Sequence, residues 1–293
     1  MKLRIFILLT SVVIALFLFA ACAPVKFLNT ITPSGSYKLA KNVSYMDSET
    51  DGERQKLDIY QPKQPKANAP VVVFIYGGSW DTGNKNIYKF VGEAFAAQGY
   101  TTVIPNYRLY PEVKYPEFIN DTAAAIAYTA KRYPEQGLIV IGHSAGAYNA
   151  MMVTVEPEYL RAQGLDVCQA IAGMVGLAGP YGAFPLKAEP FVTIFPDRHT
   201  ADDAPVNLVN GPTPPLFMAI GDKDTTVSEL HSLKLQEIIR ARGGLASFKT
   251  YPGLNHTDVV KVLSRYFDDD SELKDDILNF IATNSEKRDN YCQ

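Results

Sequence analysis

The sequence predicts an α/β fold: a mostly parallel central sheet, helices on both faces and a small cap-like insertion. Three observations predict it. From residue 71 onward, short apolar runs alternate with longer amphipathic stretches. The strand-like runs are continuously apolar, as strands covered on both faces must be. The residues with chemistry to offer fall just after those runs, where the carboxyl ends of parallel strands collect ligands.

Each element has its own signal. Residues Asn42 to Met46 and Lys56 to Tyr60 alternate in polarity, which suggests an antiparallel start to the sheet. Val71 to Tyr76 (VVVFIY) is the first buried strand. Ile87 to Gln98 reads as a helix closed by Gly99. Thr101 to Pro105 is the next strand. In Phe118 to Tyr133 the apolar residues Phe118, Ala125, Ile126, Ala130 and Tyr133 recur at helical spacing, and Pro134 follows. Leu138 to Ile141 is a short buried strand, and Ala145 to Val155 is a helix. Ile171 to Leu177, Leu216 to Ile220 and Ala246 to Tyr251 are further strands; Ser228 to Arg242 and Ser271 to Thr283 are helices. Residues 156–211 are the least regular, with Pro180, Pro185, Pro190, Pro196 and Pro205 among Tyr181, Phe184, Phe191 and Phe195. They are expected to form the cap or a pocket wall. The folded domain is placed at 40–285, with a tail at 286–293.

Composition narrows the class of function. Of 293 residues, 47% are apolar and 20% charged, which excludes a disordered chain. The net charge is −3, without the basic field of a nucleic-acid binder. Three cysteines are too few for a disulfide scaffold and lack zinc-site spacing. No metal or organic cofactor is expected.

The first 21 residues read as a targeting segment. Lys2 and Arg4 precede an apolar run from Ile5 to Ala21. Leu18-Phe19-Ala20-Ala21-Cys22 resembles a bacterial lipobox, which makes Cys22 a lipidated first residue. The alternatives are a plain secretory signal and an uncleaved anchor. On the lipobox reading, residues 22–39 are the lipidated cysteine and a tether, and the protein sits outside the cytoplasm, held to the membrane by its lipid. Ala23, rather than Asp, then directs it to the outer membrane of a two-membrane host. Cys168 and Cys292 either pair in that oxidising compartment or serve as a small buried side chain and a tail residue.

The strongest motif is Gly142-His143-Ser144-Ala145-Gly146, between the strand LIVI and a helix. A sharp strand-to-helix turn forces the serine into a strained backbone, and the flanking glycines relieve clashes. The hydroxyl stands exposed above the sheet edge, over a helix N-terminus that favours negative charge. A serine needs a base. Of four histidines, His143 cannot easily reach its neighbour's hydroxyl, His231 reads as a surface helix residue, and His199 lies in a loop. His256 follows the strand ASFKTY and is the expected base. Asp222 and Asp224, after the strand LFMAI, compete to orient that histidine. The oxyanion needs N–H donors. Ala145 supplies one, and Gly77 and Gly78, after the strand VVVFIY, are the other candidates.

Taken together, YGGSWDTGNK, NYRLYPEVKYPEFINDTAAAIAY, GHSAGAYNA, PPLFMAIGDKDTTV and GLNH resemble the α/β-hydrolase-fold carboxylesterases, over roughly residues 40 to 285. The likeness is greatest to the hormone-sensitive-lipase-like and the bacterial feruloyl or acetyl-xylan esterase-like groups. It implies the Ser, acid, His chain order and, by the family pattern G-x-x-D-x-x-V, Asp224 as the acid. Tyr76 and Ser79 depart from the family's H-G-G-G-W stretch, which bears on the acyl pocket. Trp80 either anchors its loop or walls the pocket. Arg108 and Asp121 match positions that look structural. The implied activity is hydrolysis of short-to-medium acyl or carbohydrate-linked esters through an acyl-enzyme. An aryl formamidase or amidase on the same triad is an alternative, because kynurenine formamidases and prenylcysteine methylesterases share most of these motifs. A non-catalytic binding protein on the same fold is another. A peptidase of the superfamily would normally carry a large extra domain, for which this chain has no room.

Overall fold

A computed structural model describes residues 25, 27–46, 52–182, 189–195, 204–267 and 271–285. Eight strands form one sheet: β1 (Tyr37–Ser44), β2 (Lys56–Pro62), β3 (Val71–Ile75), β4 (Thr102–Pro105), β5 (Leu138–His143), β6 (Ile171–Leu177), β7 (Leu216–Gly221) and β8 (Ala246–Tyr251). Their spatial order is β1-β2-β4-β3-β5-β6-β7-β8. β1 pairs β2 and β2 pairs β4 antiparallel; every other pairing is parallel. Every residue of β3, β5, β6 and β7 is buried, which explains why their sequences do not alternate.

Among the described residues, five longer helices cover the sheet: α1 (Lys89–Ala96), α2 (Glu117–Arg132), α3 (Ala145–Val155), α4 (Leu230–Ala241) and α5 (Leu273–Thr283). All of α3 is buried. It packs on β5 and β6 at the middle of the sheet, so the residue just before it sits at the carboxyl end of a central strand. The expected helix at 87–98 is split, because a 3-10 turn, Lys85–Tyr88, precedes α1. Asn84 caps that turn by accepting from the Asn86 N–H.

Two expectations need correction. β1 begins at Tyr37 rather than at residue 42. Its register against β2 slips between Ala40 and Val43, and Asn42 there has φ 58°. The bulge breaks the period-2 pattern that marks a strand. The 22–39 tether is not free along its length: residues 27–31 are helical, and Val25 and Leu28 are buried. Asn29 Nδ2 donates to the Asn86 carbonyl, and Lys89 Nζ donates to the Thr32 carbonyl. The strand expected at 171–177, within 156–211, forms as β6 in the middle of the sheet, so the irregular chain divides into a stretch of helical turns before β6 and a longer excursion after it.

Residues 1–24 with Cys22, 183–188, 196–203 with His199, and 286–293 with Cys292 lie outside the described residues. Among the described residues, no helix is long and apolar enough to cross a membrane.

Candidate active site

β5 ends at His143, α3 starts at Ala145, and Ser144 occupies the turn between them with φ 51° and ψ −122°. An L residue is strained there. Packing enforces the turn. A methyl added at Gly146 would lie 2.2 Å from the Ile75 carbonyl oxygen and 2.3 Å from that of Tyr76. One added at Gly142 would lie 2.5 Å from the Ala147 Cα. The Ser144 N–H donates to the Leu177 carbonyl at 2.9 Å, tying the turn to the end of β6.

The loops after β7 and β8 interlock beside this turn. The Lys223 N–H donates to the Leu254 carbonyl at 2.9 Å, and Gly221 leaves no room for a Cβ against that same oxygen. The interlock brings three distant side chains together. Ser144 Oγ lies 2.9 Å from His256 Nε2, and His256 Nδ1 lies 2.8 Å from Asp224 Oδ2. An ionised carboxylate only accepts, so Nδ1 carries the proton and the bare Nε2 accepts from the serine hydroxyl. The Asp224 side chain is fully buried, and the His256 side chain is 17% exposed.

Burial alone would push the Asp224 carboxyl up. The bond and charge of His256, with the Val227 and Thr226 N–H groups, outweigh it and hold the carboxyl below its ordinary value. The group therefore stays ionised. Asp222 turns away and accepts from the Gly253 N–H at 2.7 Å. Geometry thus separates the two carboxylates that compete in the sequence.

Gly77 follows β3 and lies against the serine turn: a methyl there would be 2.9 Å from Ser144 Cβ and from the His143 carbonyl oxygen. Only glycine lets the main chain approach so closely. Gly78 has φ +132°, and its carbonyl accepts from the N–H groups of Asp81 and Thr82. Ala145 is the first helical residue, so its N–H has no carbonyl one turn earlier to donate to. These three N–H groups belong to the backbone around Ser144.

Trp80 anchors that loop. It is 3% exposed, and its indole N–H donates to Asn149 Oδ1 at 2.8 Å. Its ring meets Tyr148 and Phe195 edge-on, at 5.3 and 4.9 Å between centroids. Ser79 and Trp80 both have positive φ, 51° and 62°. Sequence reasoning missed this pair, because neither residue type signals a left-handed backbone. It also missed Asn149, which reads as an ordinary helix residue, and Arg54, whose Nη1 donates to the Gly83 carbonyl behind the loop at 2.6 Å.

Arg108 and Asp121 form a double hydrogen bond, Nε to Oδ2 at 2.8 Å and Nη2 to Oδ1 at 2.7 Å. Asp121 is buried, so the pair fastens the loop after β4 to α2. His231 is not the surface residue expected: it is half-buried, and its Nδ1 accepts from the Gly182 N–H at 2.7 Å. Cys168 is buried and disulfide-bonded. Among the described residues, no group of three or more His, Cys, Asp or Glu is placed to hold a metal ion.

Comparison with known proteins agrees with this architecture. The BD-FAE family matches residues 57–168. The chain is 22% identical over 236 residues to a probable isoprenylcysteine alpha-carbonyl methylesterase of Oryza sativa, covering 71% of this chain and 56% of that protein. It is 27% identical over 234 residues to esterase LipC of Mycobacterium tuberculosis, covering 70% and 57%. The chain thus spans little more than half the length of these curated relatives. Esterase B of Lactobacillus rhamnosis superposes with a TM-score of 0.76 at 21% identity, over 94% of this chain and 96% of that one. A carbohydrate esterase from gut microbiota superposes with a TM-score of 0.71 at 20% identity, over 86% and 98%. The fold is that of the α/β-hydrolases.

Proposed function

From an α/β-hydrolase fold similar to esterases on both sequence and structure, we propose that this protein hydrolyses carboxylic esters through an acyl-enzyme on Ser144. The observation that carries the reading is the continuous chain Ser144 Oγ, His256 Nε2, His256 Nδ1, Asp224 Oδ2, with distances of 2.9 and 2.8 Å. As substrate binds, Ser144 Oγ attacks the ester carbonyl and its proton passes to His256 Nε2. The carbonyl oxygen becomes an oxyanion held by the N–H groups of Gly77, Gly78 and Ala145. Asp224 stabilises the imidazolium. When the tetrahedral species collapses, the ester C–O bond breaks and His256 returns the proton to the leaving alcohol. A water then repeats the sequence: its proton goes to His256, its oxygen joins the acyl carbon, and Ser144 regains its proton as the acid departs.

The proposed substrates are short-to-medium acyl esters or carbohydrate-linked acyl groups. The fold likeness to a carbohydrate esterase and to a bacterial esterase supports that class. For location we adopt the lipobox reading: Cys22 lipidated, the enzyme extracytoplasmic and membrane-held. The disulfide at Cys168 suits an oxidising compartment.

The test assays the chain from residue 24 onward on p-nitrophenyl esters from acetate to dodecanoate, beside Ser144→Ala. Serine-dependent turnover is expected, and the chain-length profile sizes the acyl pocket. Turnover retained by folded Ser144→Ala overturns the mechanism. If the folded wild type leaves every ester intact and cleaves formamides or amides, the ester reading gives way to the formamidase alternative.

A further inference from the structure

The residue before the nucleophile has a role that neither the chemistry above nor the G-x-S-x-G motif assigns. His143 is 5% exposed, at the last position of β5. Its Nε2 lies 2.8 Å from the main-chain carbonyl oxygen of His256, 113 residues away in sequence. A carbonyl only accepts, so Nε2 carries the proton and Nδ1 is bare. That Nδ1 is buried with no partner, 3.1 Å from where a Cβ on Gly77 would be. The tautomer is therefore decided by the contact with the His256 loop.

We propose that His143 is a positioning residue: its Nε2–H, donated to the His256 carbonyl, ties the loop carrying His256 to the turn carrying Ser144. The proposal rests on the triad reading and deepens it. The β8 loop is already held on its far side by the β7 loop, through the Lys223 N–H to the Leu254 carbonyl and the Gly253 N–H to Asp222 Oδ1. Asp224 holds the ring from that same side. The bond to His143 is the main-chain fastening on the serine side. It sets how closely Nε2 approaches Oγ, and transfer between them is steep in distance.

The charges around His143 allow it to hold that bond. The groups facing it are His256, whose ring centroid is 5.2 Å away, and Asp224. Burial, and then repulsion from His256, lower its pKa to about 3. It therefore remains a neutral donor while His256 cycles between its protonation states.

The test compares full-length wild type, His143→Gln and His143→Phe. The glutamine carboxamide puts an N–H near the Nε2 position; the phenylalanine fills the space with no donor. Each is checked for folding by circular dichroism, counted for active sites with a p-nitrophenyl phosphonate, and assayed on p-nitrophenyl butyrate. The downfield imidazole N–H resonance of the His256–Asp224 bond is read by proton NMR. In His143→Phe, kcat per titrated site is expected to fall roughly 10- to 100-fold with KM within about twofold, and the resonance to broaden or shift. In His143→Gln, kcat is expected within about threefold of wild type, with the resonance restored. Wild-type kcat per site and an unchanged resonance in folded His143→Phe overturn the proposal, as does equal loss in both variants. If His143→Phe does not fold, His143→Leu, also without a donor, takes its place and is judged beside His143→Gln by the same criteria. The resonance is read without any substrate, so a wild type inactive on esters sinks the functional reading and leaves this one open to its own test.

Discussion

At the scale of the residue, Ser144 shows how a reactive side chain is held by a conformation it would not choose. Its φ of 51° and ψ of −122° lie where glycine is at ease and other L residues are strained, at a cost of about 1–3 kcal/mol. Replacing it with glycine removes both the hydroxyl and the strain. We expect Ser144→Gly to lack esterase activity and yet to unfold at higher urea, by about 1 kcal/mol. Equilibrium urea unfolding beside Ser144→Ala measures this. A glycine variant less stable than the alanine variant would show that the turn stores no strain. The motif around Ser144 is legible from sequence because its logic is local. Small residues flank a serine between a strand and a helix, and the reason is steric. The partner carboxylate is not legible in that way. Asp222 and Asp224 are two residues apart with the same chemistry. What separates them is that Asp224 faces His256 while Asp222 holds the Gly253 N–H.

At the scale of the element, the strand-to-helix turn depends on two backbones crossing without side chains between them. At Gly146 the obstruction is main chain, the Ile75 and Tyr76 carbonyls at 2.2 and 2.3 Å, which cannot rotate away. Gly211 has open space around it. We expect Gly146→Ala to lose at least about 3 kcal/mol, or to fail to fold, and Gly211→Ala to stay within about 0.5 kcal/mol of wild type. Urea midpoints at constant m-value check the pair; equal effects would mean that the crossing tolerates a methyl. The elements themselves follow their sequence periods closely where the core decides them: α3, β6 and β8 have the ends that the patterns predict. They drift where a specific tertiary contact intervenes. β1 is broken by the bulge at Asn42, whose N–H donates to Asp58 Oδ1 at 2.8 Å. That carboxylate also binds the buried Lys85 Nζ, at 2.7 Å. An alternation rule has no way to foresee a bulge made to reach a buried ion pair.

At the scale of the whole molecule, two histidines withdrawn from water contribute to how the protein meets acid. His143 is held neutral, lowered from 6.5 to about 3 by burial and then by His256, and His231 is lowered by burial. The unfolded chain takes up a proton on His143 near pH 6.5 and the folded chain only well below it; His231 is shifted in the same direction. Stability from this source is therefore intact above pH 6.5 and declines as pH falls below it. For His143 alone the loss between pH 7 and pH 5 is about 2 kcal/mol. Denaturant midpoints across that range should fall for the wild type, and His143→Gln should flatten the fall by about that amount. A parallel fall in both would show that His143 titrates freely in the folded state. Both histidines link separate parts of the fold: His143 joins β5 to the loop after β8, and His231 joins α4 to the chain after β6. The acid response is thus a property of how the elements are assembled.

Sequence alone determined that the chain builds a buried parallel sheet, that a serine stands on a tight turn at the end of a central strand, and that a late histidine follows the last strand. Those features rest on interactions between near neighbours, through hydrophobic period and the sterics of small residues, so they can be read along the chain. Tertiary structure decided which aspartate faces His256, that the segment leading into β1 packs on the body, and that His143 bonds to the histidine loop. Each of these depends on groups made neighbours only by folding, such as Ser144 and His256, 112 residues apart. Their pairing follows from strand order in the sheet, which no local pattern records.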